Sequence, residues 1–148
     1  MAISICNIAV GGGVLGLCSL PQAADVAALR DWRPDLVLTL VEAEEAAALS
    51  PDLAAALAAA GIAQRLYPIA DYGVPTGGWA ALSVDLHAKL AQAARMIVHC
   101  RGGCGRTGMI ALRLMIEAGE APQAALARLR ALRPCAVETE AQGIWAGL

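Results

Sequence analysis

The stretch from Met96 to Ala118 limits the possible folds of this chain more than any other. A short apolar run, Met96 to His99, stops at Cys100-Arg101-Gly102-Gly103-Cys104-Gly105. Arg106-Thr107-Gly108 then opens a run to Ala118 that is apolar almost all round. A helix with no polar face has no solvent side, so it belongs at the centre of a domain. The short run before it reads as a buried strand. A strand passing through a tight loop into a buried helix is the repeating unit of an α/β domain.

The rest of the chain repeats that alternation. Ile3 to Val10 and Val14 to Leu20 read as two strands around Gly11-Gly12-Gly13, which can supply the positive φ angles of a hairpin turn. Asp25 to Trp32 suggests a short helix with Asp25 at its N-cap. Leu36 to Val41 is a continuous apolar run with β-branched residues, the pattern of a strand covered on both faces. Helices are expected over Glu42 to Leu49 and about Asp52 to Ala60, the second with Ser50 as N-cap, Pro51 at N1 and Gly61 as its stop. Ala63 to Ile69 is a further strand, leading into the turn-rich Ala70 to Pro75. Trp79 to Ala94 places Trp79, Leu82, Leu86 and Leu90 at helical spacing, and two helices, Pro122 to Leu132 and about Glu140 to Leu148, close the chain. These elements predict one α/β domain over residues 1–148, with a mainly parallel central sheet flanked by helices.

Charge and cysteine usage exclude several classes. The net charge is -2, so no global basic field exists to hold nucleic acid or an anionic membrane. Five cysteines, at 6, 18, 100, 104 and 135, do not form the doubled Cys-x-x-Cys spacing of a structural zinc site, and a chain of 148 residues does not depend on staples. A reducing cytoplasm is the expectation, with no metal and no cofactor. Met1 to Leu20 is apolar enough to raise a signal peptide, but the first basic residue is Arg30 and the stretch is broken by three glycines. A hairpin accounts for it better, and no membrane insertion is expected.

The loop after Met96–His99 holds the chemistry. A helix N-terminus presents unpaired N–H groups and the positive end of the macrodipole, which favour an anion. Gly102, Gly103 and Gly105 let the backbone curl so that successive amides converge into a nest. Arg106 adds a planar fork for two oxygens of the same anion. A thiol in such a setting is primed as a nucleophile, which points to Cys100. Thr107 is placed to donate to the Cys100 sulfur, and His99 to orient the loop through its ring nitrogens. Arg101 either adds positive charge at the mouth or is solvated.

These residues carry a resemblance. His99-Cys100-x5-Arg106-Thr107-Gly108 is similar to the Cys-x5-Arg signature of the protein tyrosine phosphatase superfamily, in its dual-specificity form. Leu66 to Pro75 resembles that family's general-acid loop, and Arg133 to Gln142 its segment after the helix. With Leu20-Pro21 and the Leu36 strand, the likeness spans about residues 14–148. It is closest to the small atypical enzymes like the cyclin-dependent-kinase-associated phosphatase and its bacterial relatives. The resemblance implies a dual-specificity-phosphatase-like fold and a phosphocysteine route for phosphomonoesters. Cys100 is then the nucleophile and Arg106, with residues 101–105, the phosphate cradle. Thr107 supports the sulfur, and Asp71 is the general acid that returns as general base. The expected partner is a phosphorylated protein or small phosphomonoester, and a monomer is favoured.

Some residues keep two readings. Asp71 taken by composition alone is a turn residue making an Asx contact. Gln142 either positions the hydrolytic water, as in some relatives, or closes a Thr139-x-x-Gln142 capping box. Cys104 is a filler or forms a reversible disulfide with Cys100. Arg128, Arg130 and Arg133 are most simply a solvated helix face, and His87 a surface residue. Rival functions are a phosphatase of a non-protein substrate such as a phosphoinositide, an arsenate reductase-like cysteine enzyme, and a phosphoprotein-binding module without turnover.

Overall fold

The computed structural model describes residues 2–148, so the start of the Met1–Leu20 reading, Met1 itself, lies outside the described residues. The strands are β1 (Cys6–Val10), β2 (Gly13–Cys18), β3 (Leu36–Thr39), β4 (Gln64–Leu66) and β5 (Arg95–His99). The helices are α1 (Val26–Trp32), α2 (Ala43–Leu49), α3 (Leu53–Ala59), α4 (Trp79–Ala91), α5 (Gly105–Glu117), α6 (Pro122–Leu132) and α7 (Glu140–Ala146). The sheet order is β1-β2-β5-β3-β4, antiparallel only at β1–β2 and parallel elsewhere. This is the expected α/β architecture with a mainly parallel sheet. No helix among the described residues is long and apolar enough to cross a membrane.

The hairpin at the start is a two-residue turn. Val10 faces Gly13, and Gly11 and Gly12 both hold positive φ, +59° and +94°, which matches the right-handed twist of the paired strands. β5 lies in the middle of the sheet, between β2 and β3, and four of its five residues are buried. Central position in a parallel sheet, covered on both faces, is the reason the sequence there is a plain apolar run. β5 delivers the chain to the loop at the carboxyl edge of the sheet, where open α/β folds place their ligands.

α5 is the buried helix that the sequence demanded. Its first eight residues, Gly105 to Leu112, are all buried, and so are Leu114 and Met115. It begins at Gly105, two residues before the expected Thr107, so Arg106 and Thr107 sit inside its first turn. α4 shows the expected stripe, with Trp79, Leu82, Leu86 and Leu90 buried. The two helices meet over Glu117, whose carboxylate accepts from Trp79 Nε1 (3.0 Å), Ser83 Oγ (2.8 Å) and Arg113 Nε (2.9 Å) and lies 3.1 Å from His87 Nε2. Burial works against that charge, but the surrounding donors hold the carboxyl down at about 2. His87 is thus anchored rather than simply a surface residue.

Two local expectations are corrected. Ser50 does not cap α3, since Asp52 holds the N-cap position. The buried Ser50 hydroxyl instead donates to the Pro21 carbonyl at 2.6 Å, tying the end of α2 to the chain after β2. The three arginines are not simply a solvated face, since each is bonded to protein acceptors. Arg128 pairs with Glu120 at 2.7 Å and donates to Ala9 O, Arg130 donates to the carbonyls of Ala136 and Val137 at 2.9 Å each, and Arg133 reaches the loop before α5. Each satisfies backbone acceptors that no helix or strand serves.

Candidate active site

Cys100 follows β5 directly and is almost fully buried, at 3% exposure. His99, the last residue of β5, is fully buried and bonded through both ring nitrogens. Nδ1 lies 3.1 Å from the Cys100 carbonyl oxygen and Nε2 2.7 Å from Thr39 Oγ1. A carbonyl only accepts, so Nδ1 carries the proton. Nε2 then accepts from the Thr39 hydroxyl, which accepts in turn from Gln64 Nε2 at 2.9 Å. The imidazole thus ties Thr39 on β3 to the backbone at Cys100 and has no nitrogen left for a substrate.

Burial pushes the His99 pKa down to about 4, from an ordinary value of 6.5. The unfolded chain therefore binds a proton that the folded chain refuses. Stability is full above about pH 6.5 and falls as the pH drops toward 4, by about 3 kcal/mol from this group. Glu117 acts in the same direction but only below the ordinary carboxylate value of 4.5, so the window from 6.5 to 4.5 isolates the histidine. Urea unfolding of wild type should lose stability steadily across that window, and His99→Asn should flatten the slope. An unchanged slope in the variant would assign the pH dependence elsewhere.

Arg106 is the pivot of the site, a long charged side chain held inside the fold with only 2% exposed. Its Nη1 and Nη2 bond Glu45 Oε1 and Oε2 at 2.7 and 3.0 Å, a bidentate fork. Nη1 also donates to Ile69 O at 2.9 Å, and Nη2 lies 3.2 Å from Asp71 Oδ1. Burial opposes the guanidinium charge, but Glu45, with smaller help from Cys100 and Asp71, outweighs it and raises the pKa further. Bonding to Arg106 holds the Glu45 carboxyl below its ordinary range. Glu45 was not among the residues singled out from the sequence. A buried arginine needs a countercharge, and the acidic stretch Glu42-Ala43-Glu44-Glu45 follows the strand next to β5, so that need was the available signal.

Asp71 sits in the irregular segment between β4 and α4, exposed to solvent, with Tyr72 beside it in the left-handed region at φ +59°. Both readings of its side chain have a counterpart: Oδ1 accepts from the Tyr72 amide at 3.0 Å, a local turn contact, and the same oxygen faces Arg106. Gln142 forms the capping box. Its Oε1 accepts from Thr139 N (3.2 Å) and Glu138 N (2.9 Å), while its own amide donates to Thr139 Oγ1 at 3.0 Å. Its remaining Nε2 donates to Gly73 O at 3.2 Å, so the fully buried Gln142 links α7 to the Asp71 segment.

The loop itself departs from expectation at three points. Cys104 is neither a filler nor paired with Cys100: it forms a disulfide with Cys135, and Cys100 is free. The Gly105 amide is taken by Glu138 Oε1 at 2.8 Å and is not an open donor. Thr107 Oγ1 is buried without a hydrogen-bond partner among the described residues, so the expected bond to Cys100 is not formed here. By contrast, the amides of Gly102, Gly103 and Cys104 have no partner among the described residues. Arg101 is exposed, and its carbonyl accepts from Leu20 N at 2.9 Å. Asp71, Tyr72, Arg101, Gly102, Cys104 and Glu138 line a cleft of about 250 Å³ over this loop.

A family model described as "Tc-R-P: Polymorphic toxin system, DSP-PTPase phosphatase" matches residues 13–120. No curated protein matches the chain. Among solved structures, kinase associated phosphatase, with its catalytic-site cysteine changed to serine, is 24% identical with a TM-score of 0.89 over 99% of this chain and 93% of that one. Tk-PTP in its active form is 24% identical with a TM-score of 0.80, covering 96% and 92%. PTPMT1 in complex with PI(5)P is 22% identical with a TM-score of 0.77, covering 89% and 86%. At these identities the likeness is one of fold.

Proposed function

We propose a reaction from one premise: the chain belongs to the DSP-PTPase phosphatases of polymorphic toxin systems, a family of cysteine-dependent phosphatases. Within it, Cys100 is the nucleophile and attacks phosphorus as its thiolate. Arg106 and the amides of residues 101–104 hold the three non-bridging oxygens. Asp71 protonates the leaving oxygen, and water assisted by Asp71 then releases phosphate from sulfur. Thr107, by rotating its unpartnered hydroxyl, donates to the sulfur during these steps. His99 and Gln142 are positioning residues, the one for the loop and the other for the Asp71 segment.

The observation that carries this reading is Arg106: a guanidinium buried at the start of α5, fixed by Glu45 and facing Asp71, beside a loop with open amides. A carboxylate resting on that fork marks where an oxyanion gains most. The mouth of the cleft carries Arg101 against two carboxylates, Asp71 and Glu138. This balance favours a phosphomonoester with little further negative charge, so a phosphotyrosine or phosphoserine/threonine side chain suits it better than a polyphosphorylated inositol. PTPMT1 was solved with PI(5)P, which keeps a phosphoinositide as the alternative. The enzyme is proposed to act as a monomer in the cytoplasm, where dithiol exchange at the exposed Cys135 would set the state of the Cys104–Cys135 bridge.

The test is turnover of an aryl phosphate in excess EDTA, followed by acid quench and mass mapping of the phosphoenzyme. Steady phosphate release with phosphorus on Cys100 is the expected result. Release that requires added divalent metal, or phosphorus on another residue, would sink the mechanism. A panel of phosphopeptides and inositol phosphates run on the same preparation decides the substrate class.

A further inference from the structure

The segment from Arg133 to Glu138 grips four consecutive residues of the loop. Arg133 Nε donates to Gly103 O at 2.7 Å and its Nη2 to Gly102 O at 3.2 Å. Cys135 is disulfide-bonded to Cys104. Val137 N donates to Cys104 O at 3.3 Å, and Glu138 takes the Gly105 amide.

Peptide planarity gives these contacts a direction. A carbonyl and the N–H of the next residue share one trans plane and point opposite ways. By drawing the Gly102 and Gly103 carbonyls toward itself, Arg133 turns the N–H groups of Gly103 and Cys104 away, to the opposite side of the loop. Those are two of the amides left without partners. Gly103 also runs against β2 on the Arg133 side: at φ +71°, a Cβ there would lie 2.5 Å from the Cys18 carbonyl and 2.6 Å from Arg133 Nη2, so only glycine lets the loop approach both. β2 and Arg133 together hold one side of the loop and leave its amide side open. Without the grip, two adjacent glycines would sample a wide range of backbone angles, and an arriving anion would have to order them.

We propose that Arg133 and the Cys104–Cys135 bridge are positioning elements that pre-orient the loop amides for an oxyanion, so that opening the bridge weakens oxyanion binding. The inference rests on this loop being the phosphate site. Cys135 is exposed and Cys104 half-buried, so a small dithiol has access to the bridge, whereas Cys100 is buried and already free. One thiolate of the dithiol attacks Cys135 Sγ, the S–S bond breaks, and Cys104 leaves as a thiolate that takes up a proton. The second thiol then closes on the mixed disulfide and frees Cys135 as its thiol. Two electrons and two protons pass to the protein, and the reductant ends as a cyclic disulfide.

Binding of inorganic phosphate to the full chain, measured by calorimetry, tests this without any need for turnover. Phosphate affinity should fall about tenfold when wild type is treated with a dithiol. Cys135→Ser should be equally weak and unaffected by the dithiol, and Arg133→Lys should be weakened with its bridge intact. In an active preparation the same changes should raise KM for an aryl phosphate and leave kcat near its original value, a split that general loosening of the fold would not give. Unchanged affinity after mass spectrometry has confirmed bridge opening would overturn the positioning role alone. Absence of phosphate binding in every form would overturn the phosphate site, and this inference with it.

Discussion

Cys100→Ser should abolish turnover of an aryl phosphate, by a factor on the order of 10⁴ or more, and leave binding of inorganic phosphate within about threefold of wild type. Serine keeps the shape of the side chain and both faces of the loop. What it lacks is a proton that leaves without help. A serine hydroxyl becomes a nucleophile only when an adjacent base removes its proton, and the first step has none to spare, since Asp71 must then carry the proton for the leaving oxygen. His99 is the nearest candidate by sequence, yet its Nδ1 is spent on the Cys100 carbonyl and its Nε2 on Thr39. Its pKa of about 4 marks a buried ring that resists the charge it would have to accept. Glu45 is committed to Arg106 through both oxygens. The nucleophile must therefore ionise without help from a base, which a thiol does far more readily than a hydroxyl. Steady-state rates and phosphate titrations on the two proteins decide the matter. A serine variant that keeps a hundredth of the wild-type rate would mean that Cys100 is not the nucleophile.

The parts of this site that the sequence made legible are those encoded within a few residues of one another. The Met96–His99 run, the glycines and the apolar stretch after Thr107 name strand, loop and buried helix without any distant partner. The Thr139-x-x-Gln142 capping box is equally local, and it formed as spaced. What escaped is what folding brings together across the chain. Glu45 meets Arg106 over 61 residues, and its neighbours Glu42 and Glu44 look the same from the sequence. Cys135 meets Cys104 over 31, although five cysteines in one α/β domain of this size suggested free thiols. Arg133 read as solvated because helical spacing puts it near Arg130, while its carbonyl partners lie 30 and 31 residues away. Ser50 followed the local rule for an N-cap but was drawn off by the Pro21 carbonyl, a buried acceptor that no local pattern announces. Apart from the disulfide, which needs only that the fold bring two cysteines together, a polar group in each case took a partner that the fold supplied, a demand that the neighbouring sequence does not announce.

Asp71→Asn should lower kcat by about 10² to 10⁴-fold, and the loss should grow as the leaving group worsens. A nitrophenolate departs with little help, so an aryl phosphate should lose least. An alkyl phosphate, whose oxygen cannot leave as an anion, should lose most. The structure adds a second, opposite sign for binding. Asp71 Oδ1 lies 3.2 Å from Arg106 Nη2, so the carboxylate competes with any oxyanion for one arm of the fork. Asparagine removes that charge but keeps the oxygen that accepts from the Tyr72 amide, so the turn is retained. Phosphate should then bind the variant at least as tightly as wild type while turnover collapses, a divergence that loss of structure cannot produce. For Asp71 to act, its carboxylate must leave Arg106 when substrate arrives and stand over the leaving oxygen. The segment from Tyr67 to Gly78 is irregular, and Asp71 lies between two tethers, Ile69 O on Arg106 and Gly73 O on Gln142, so the movement falls to its side chain and the three residues between them. Equal rates for wild type and Asp71→Asn across the whole leaving-group series would remove the general acid. The Cys100 loop would then be better matched to a chemistry that needs no such proton, as in an arsenate reductase-like enzyme.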